Sequence, residues 1–214
     1  MLVDASVARS FAVVGWTRHL LQLSGGTILV ADGVHGADAD DPSELRRIRR
    51  ALQREADDAG LGSGRASRAL SAVRGLDELL TLDSGELTVL TLSDDEMELA
   101  VRLQSRRPED RAWRHALGAK ARRLDAGESA SIAIALTRSR AFASDDEDAL
   151  ALWQALSGAP GWRTCDLLHQ LVSKAVVPEH EAREMYHLLQ NDDVHNLGGP
   201  PWKLEGPTSS TERA

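Results

Sequence analysis

The sequence predicts an α/β fold in which helices wrap a parallel sheet. Short apolar runs alternate with longer segments of helical periodicity. The segment Glu128 to Leu136 is apolar nearly all round after its first residue, as a helix buried against the middle of a sheet should be. Acidic residues also recur just beyond the apolar runs: Asp4 after the first, then Asp40, Asp41 and Glu44, then Asp94, Asp95 and Glu96, then Asp145 and Asp146. In an open parallel sheet the carboxyl ends of the strands share one edge, where ligands bind. The acids are therefore expected to gather there in a pocket for a divalent metal.

Taken in order, Leu2-Val3 reads as the first strand and Val7 to Leu23 as one helix, with Phe11, Val14, Leu20 and Leu21 inward. Ser24-Gly25-Gly26 ends that helix. Thr27 to Val30 is the second strand. Ser43 to Ala59 carries Leu45, Ile48 and Leu52 at helical spacing, with arginines on its other face. Gly60 to Gly64 is a flexible turn, and a further helix runs from Arg65 to about Leu80. Leu87 to Leu92 is the third strand, and Ser93-Asp94-Asp95-Glu96 reads as a capping box opening a helix through Leu103. After the apolar helix, Ala141 to Ala143 is the fourth strand, and Trp162 to Cys165 is a candidate fifth. Asp148 to Leu156 and Glu179 to Gln190 are amphipathic helices. One domain is expected over residues 1–192, with a flexible C-terminal tail over 193–214 rich in Gly, Pro, Ser and Thr.

Composition narrows the functional classes. No apolar stretch reaches the roughly 20 residues of a membrane span, and the first 30 residues lack a basic start and a small-residue cleavage site. A single cysteine, Cys165, excludes an internal disulfide and any cysteine-clustered zinc site, and it fits a cytoplasmic protein. The net charge of −8 argues against a general nucleic-acid binder, yet the positive charge is concentrated. Arg46, Arg47, Arg49, Arg50 and Arg54 form one basic run. Arg102 to Arg123 forms another, with eight positive residues against Glu109 and Asp110. Such runs are commonly solvated helix faces, but two of them flanking an acidic site would suit a polyanionic substrate.

Each acid also has a purely structural reading. Asp41-Pro-Ser-Glu44, Asp125-Ala-Gly-Glu128 and Ser144-Asp-Asp-Glu147 all resemble helix starts, where a carboxylate caps free N–H groups. Asp4 is harder to explain that way, because it follows the first strand with no polar partner nearby in sequence. Carboxylates crowded together repel unless a cation neutralises them, and hard oxygen donors select Mg²⁺ or Mn²⁺. The joint pattern favours a metal site over independent caps. The seven histidines are scattered, and there is no Gly-x-Ser-x-Gly, no P-loop ending at Gly60 to Arg65, and no Gly-rich fingerprint after the first strand. A phosphoreceiver domain would need a lysine after the last strand, where Cys165-Asp166 stands instead.

Three stretches together resemble the PIN-domain family of metal-dependent ribonucleases: Leu2-Val3-Asp4-Ala5-Ser6, the segment Leu124 to Leu136 with its Gly127-Glu128 pair, and Ala141-Phe142-Ala143-Ser144-Asp145-Asp146. Leu87 to Leu99 is similar to the family's third strand and following helix. The likeness covers residue 1 to about 190 and is strongest from Leu124 to Asp146. It implies an α/β/α sandwich with a central parallel sheet and three or four acids holding Mg²⁺ or Mn²⁺. Carried over by position, Asp4, Glu128 and Asp146 match the catalytic and metal-binding acids, and Asp145 is an equal candidate for the last place. Glu44 is the choice for the second acid, because it opens a helix ahead of Leu45-Arg46. Thr164 would add a polar contact.

The expected activity is endoribonucleolytic cleavage of RNA phosphodiester bonds by Asp4, Glu44, Glu128 and Asp146. Metal would be held by Asp4, Glu128 and Asp145 or Asp146, and arginines of the two basic runs would position the strand. The resemblance further implies a homodimer and, in the family's toxin branch, a small antitoxin protein as partner. The alternative expectation is a PIN-like scaffold that binds RNA or a partner protein without cutting.

Overall fold

The computed structural model describes residues 1–35, 43–60, 63–118 and 123–191. Four short strands form the sheet: β1 (Leu2–Val3), β2 (Ile28–Ala31), β3 (Leu87–Leu90) and β4 (Phe142–Ala143). The helices in the first half are α1 (Ala5–Val13), α2 (Thr17–Leu23), α3 (Asp32–His35), α4 (Glu44–Asp58) and α5 (Gly64–Leu80). Those in the second half are α6 (Asp94–Gln104), α7 (Pro108–Ala116), α8 (Ala126–Thr137), α9 (Glu147–Ser157), α10 (Thr164–Ser173) and α11 (Glu179–Asn191).

All pairings are parallel, in the order β3-β2-β1-β4. Leu2 lies opposite Leu29 on one side and Phe142 on the other, and Ile28 to Ala31 run in register with Leu87 to Leu90. The chain thus adds β2 and β3 on one flank of β1 and then crosses to place β4 on the other. A crevice forms at the carboxyl edge where strand order reverses in this way. Asp4 follows β1 there, and Ser144, Asp145 and Asp146 follow β4.

Helices on the two sides of the sheet complete an α/β/α sandwich, as expected. The helix α8 packs over β1, β2 and β4, with α6 and α9 beside it. Every residue from Ser129 to Ala135 is buried, which is why the segment reads as apolar all round. In the other layer α1 packs with α2, α5 and α10. A Cβ at Gly75 of α5 would stand 1.7 Å from the Ala12 carbonyl oxygen of α1, so these two backbones touch directly. Leu2, Val3, Phe11, Leu20, Ile28, Leu76, Ile132 and Phe142 are among the fully buried side chains, each worth about 1.5–3 kcal/mol when removed from water.

Several expectations require correction. The single helix Val7 to Leu23 is two helices, because Gly15 takes a positive φ of 74° between them and turns the chain. The candidate fifth strand, Trp162 to Cys165, shrinks to one bridge between Ala143 and Trp162. Helix α10 starts at Thr164, and the Asp166 carboxylate accepts the Arg163 N–H at its start (2.9 Å), so local capping wins over strand propensity. The short α3 and the basic α7 lie where no helix was assigned. The acids at Asp40 and Asp41, Leu61 and Gly62 of the Gly60–Gly64 turn, and the tail over 193–214 lie outside the described residues.

Candidate functional site

The site is built around Asp4, whose side chain is only 3% exposed. It occupies the N-cap position of α1 but makes no capping bond there. Its Oδ2 accepts from the hydroxyls of Ser144 (3.0 Å) and Ser6 (3.2 Å), while Oδ1 is buried without any hydrogen-bond partner. Ser144 is in turn fixed by its own N–H, bonded to the Trp162 carbonyl. A serine on each side therefore orients one oxygen of Asp4 and leaves the other bare, which for a buried anion costs free energy unless a donor or cation meets it.

Four further carboxylates surround it from three other parts of the chain. Glu44 opens α4, preceded by Ser43 at a helix start with no side-chain cap. Its Oε2 lies so near the start of α8 that a Cβ at Gly127 would be 2.9 Å away, with Asp125 Oδ1 at 3.5 Å from the same point. A Cβ at Gly127 would crowd the Glu44 carboxylate in its present position and make that side chain shift. Asp125 and Glu128 form a capping box at the head of α8, with Glu128 N–H donating to Asp125 Oδ1 (2.8 Å) and Asp125 N–H donating to Glu128 Oε2 (2.9 Å). Asp146 caps α9 through Oδ1, which accepts the Ala149 N–H at 2.8 Å. Capping and clustering are thus compatible, since each cap uses one carboxylate oxygen.

The electrostatics bind these groups into one set. Burial pushes Asp4 up to about 7, helped by the charges of Glu44 and Asp125, against the partial offset of the Ala5 N–H and the Ser144 hydroxyl. Burial likewise raises Glu44 to about 7, aided by Asp125 and Glu128 and resisted by Arg47 and Arg9. Glu128 reaches about 8 through burial first, then Asp125, Asp146 and Asp4. Carboxylates that stand close, poorly hydrated and short of positive charge hold their protons to neutral pH. A cation would displace those protons.

These observations fit a hard divalent ion in donor chemistry: the set is all oxygen, it is electrostatically frustrated, and it contains an orphaned buried oxygen on Asp4. As the side chains stand, however, no three Asp, Glu, His or Cys groups among the described residues are already closed around one point. Mutual repulsion is the physical reason that like charges converge without closing.

The structure separates the two aspartates that the sequence left equal. Asp145 is 3% exposed and turned inward. Its Oδ1 accepts the Thr164 N–H (2.8 Å), and its Oδ2 accepts the Thr164 hydroxyl (2.7 Å) and the Ser10 hydroxyl (3.4 Å). It tethers α10 and α1 to β4, and its charge is not among the leading ones that perturb Asp4, Glu44 and Glu128. Asp146 belongs to the group, and Thr164 serves Asp145 instead of the pocket.

The acids after β3 also stay out. Glu96 is buried against Arg138, which donates to both of its oxygens at 2.8 Å, and this pairing lowers Glu96 to about 2. Asp94 and Asp95 are exposed on the outer strand's side. Asp125 is the residue the sequence reading undervalued; its place three residues before Glu128 looked like a cap alone, and it is also one of the charges acting on Asp4, Glu44 and Glu128.

The two basic runs differ. In α6 and α7, Arg102 pairs with Asp110 (3.1 Å) and stacks 4.0 Å above Trp113. Arg114 is 2% exposed and donates to the carbonyls of Arg102 and Ser105, both at 2.8 Å. These two members of the run hold their own helices together, while Arg106, Arg107 and Arg111 are exposed. In α4, Arg49 pairs with Asp77 of α5, but Arg47, Arg50 and Arg54 are exposed and make no ion pair among the described residues. Among the described residues no helix is long and apolar enough to cross a membrane.

Comparison with known family models, curated proteins and solved structures finds no match for this chain, so its site is read from its own geometry.

Proposed function

We propose that the chain is a Mg²⁺- or Mn²⁺-dependent endoribonuclease of the PIN type. One observation carries this reading: Asp4, Glu44, Glu128 and Asp146, joined by Asp125, come from separate stretches of sequence and act on one another's charge at the carboxyl edge of a parallel sheet. A divalent ion in such a site polarises a phosphoryl oxygen and lowers the pKa of a bound water.

The chain's own groups have distinct tasks. Asp4 offers Oδ1, with Ser6 and Ser144 fixing its plane through Oδ2. Glu128 is held by the Asp125 N–H through Oε2, a bond that leaves Oε1 uncommitted. Asp146 is steadied by α9, and Glu44 rests against the bare backbone of Gly127. With values of about 7 and 8, Glu44 and Glu128 carry protons near neutrality and release them when a cation binds, so metal affinity should rise with pH. A role as a toxin would add a small antitoxin as partner, and the hydrolytic reading does not depend on it.

The second reading, a scaffold that binds RNA or a partner protein without cutting, is favoured by the carboxylates not being closed around a point. Incubation of a 5′-labelled single-stranded RNA with the protein in Mn²⁺, Mg²⁺ or EDTA decides between them. Metal-dependent fragments from the parent chain, falling to background in Asp4→Asn and Glu128→Gln, support the nuclease. Bound but intact RNA in Mn²⁺ supports the scaffold, and equal cleavage by parent and variants rejects the site.

A further inference from the structure

We propose that the outer face of α4 is a track for the phosphodiester backbone of a single strand, entering the acidic site from one side without reading its bases. The identity of the occupant rests on the nuclease reading above. A groove of 930 Å³ runs along α4, with Glu44 and Asp125 at one end and Arg47, Arg50 and Arg54 beyond them. Glu44 is therefore shared: it is both a member of the acid group and the near wall of the groove.

Helical geometry makes the three arginines a line. Positions i, i+3 and i+7 fall on one face, and at about 1.5 Å per residue the row from Arg47 to Arg54 covers about 10 Å of axis. All three are exposed; Arg50 and Arg54 make no ion pair among the described residues, and Arg47 also acts on the Glu44 carboxylate at the near wall. Three other charges of the helix are engaged: Arg49 holds Asp77, Glu55 holds Arg65, and Asp57 accepts from Gln53. Three exposed guanidiniums in a row, on a chain of net charge −8, form a local positive field that suits successive phosphates.

The lining also says what is not read. Among the described residues no aromatic side chain lines the groove, whose apolar wall there is Ile48 and Ala51. Base stacking in single-strand channels needs aromatic platforms. Contact here is with backbone charge, so the track is indifferent to sequence and sensitive to salt. In the α6–α7 run Arg102 and Arg114 are consumed locally, and the exposed Arg106, Arg107 and Arg111 are not among the described residues that line the groove.

The test is binding, not cleavage, so it stands apart from the fate of the nuclease reading. Fluorescein-labelled oligo(U) and oligo(dT) are titrated in EDTA, from 50 to 200 mM salt, with the parent, Arg50→Gln/Arg54→Gln and the charge-matched control Arg106→Gln/Arg111→Gln. Each phosphate contact adds about 0.7 to the slope of log affinity against log salt. Removing two should lower that slope by about 1.4, so that across this fourfold salt range the parent loses about sevenfold more affinity than the variant. The same loss for both oligonucleotides, with the control unchanged, is the expected result. Equal losses in the two double variants would reduce the effect to overall charge and overturn the track. A loss confined to oligo(U) would overturn backbone-only contact. Poly-glutamate binding the parent as tightly as oligo(U) would assign the groove to an acidic peptide instead.

Discussion

Replacing Asp4 by Asn probes the stored electrostatic cost of the site. In the unfolded chain this carboxyl titrates near 3.8, whereas in the folded chain burial and the neighbouring Glu44 raise it to about 7. Between those values the folded state binds more protons than the unfolded one, so stability falls as pH rises through that window. One pKa unit corresponds to about 1.4 kcal/mol, which puts the cost of ionising Asp4 at pH 8 on the order of 4 kcal/mol. Redistribution of protons among Glu44 and Glu128 lowers the recoverable part to about 2 kcal/mol, or about 4–8 °C in Tm for a chain of this size. Asn keeps the shape and the contacts with Ser6 and Ser144. In EDTA at pH 8 the variant should therefore melt above the parent, and near pH 4 the two should coincide. Adding Mn²⁺ should raise the parent's Tm and leave the variant's almost unmoved, since only a state that binds the ion gains stability from it. Thermal melts at pH 4, 6 and 8, with and without Mn²⁺, measure all three. A variant that melts below the parent by the same margin at every pH, or that gains as much from Mn²⁺, would show that Asp4 is a structural residue and not part of a metal pocket.

Two other perturbations separate the site from the scaffold. Gly127→Ala brings a methyl to 2.9 Å from Glu44 Oε2, the end of a flexible side chain that can swing away. Stability should change by less than about 1 kcal/mol, helped by helix propensity, while Mn²⁺ affinity measured by calorimetry falls by about tenfold or more. Arg138→Gln strands the buried Glu96 and should cost about 2–3 kcal/mol at pH 7 by denaturant unfolding. Glu96 is lowered from 4.5 to about 2, so this contribution is present above pH 4.5 and lost as pH falls toward 2. The deficit of the variant should therefore shrink through that acid window.

The α8 helix was legible because burial on every side leaves no polar face to write. The Ser93–Glu96 capping box was legible because its chemistry is local, with both reciprocal bonds made within four residues. The boundary at Thr164 misled because Trp162 to Cys165 has strand-like residues, while the choice of helix depended on the Asp166 carboxylate reaching back to Arg163 N–H. The break at Gly15 was visible only as a glycine, since its positive φ is a property of how α1 and α2 must diverge.

What the sequence by itself determined is the alternation of four strands with helices and which acids stand at strand or helix ends, because capping, periodicity and glycine placement act over a few residues. Only the tertiary structure decided which of those acids share a field. Asp145 and Asp146 are neighbours in the chain, yet Thr164 and Ser10 claim the first, while the charge of the second acts on Glu128. Asp4, Glu44 and Glu128 are dozens of residues apart, and their common protonation near neutrality comes from burial and mutual repulsion across the sheet edge. Coulomb interaction depends on distance through space, and the linear chain does not carry that distance.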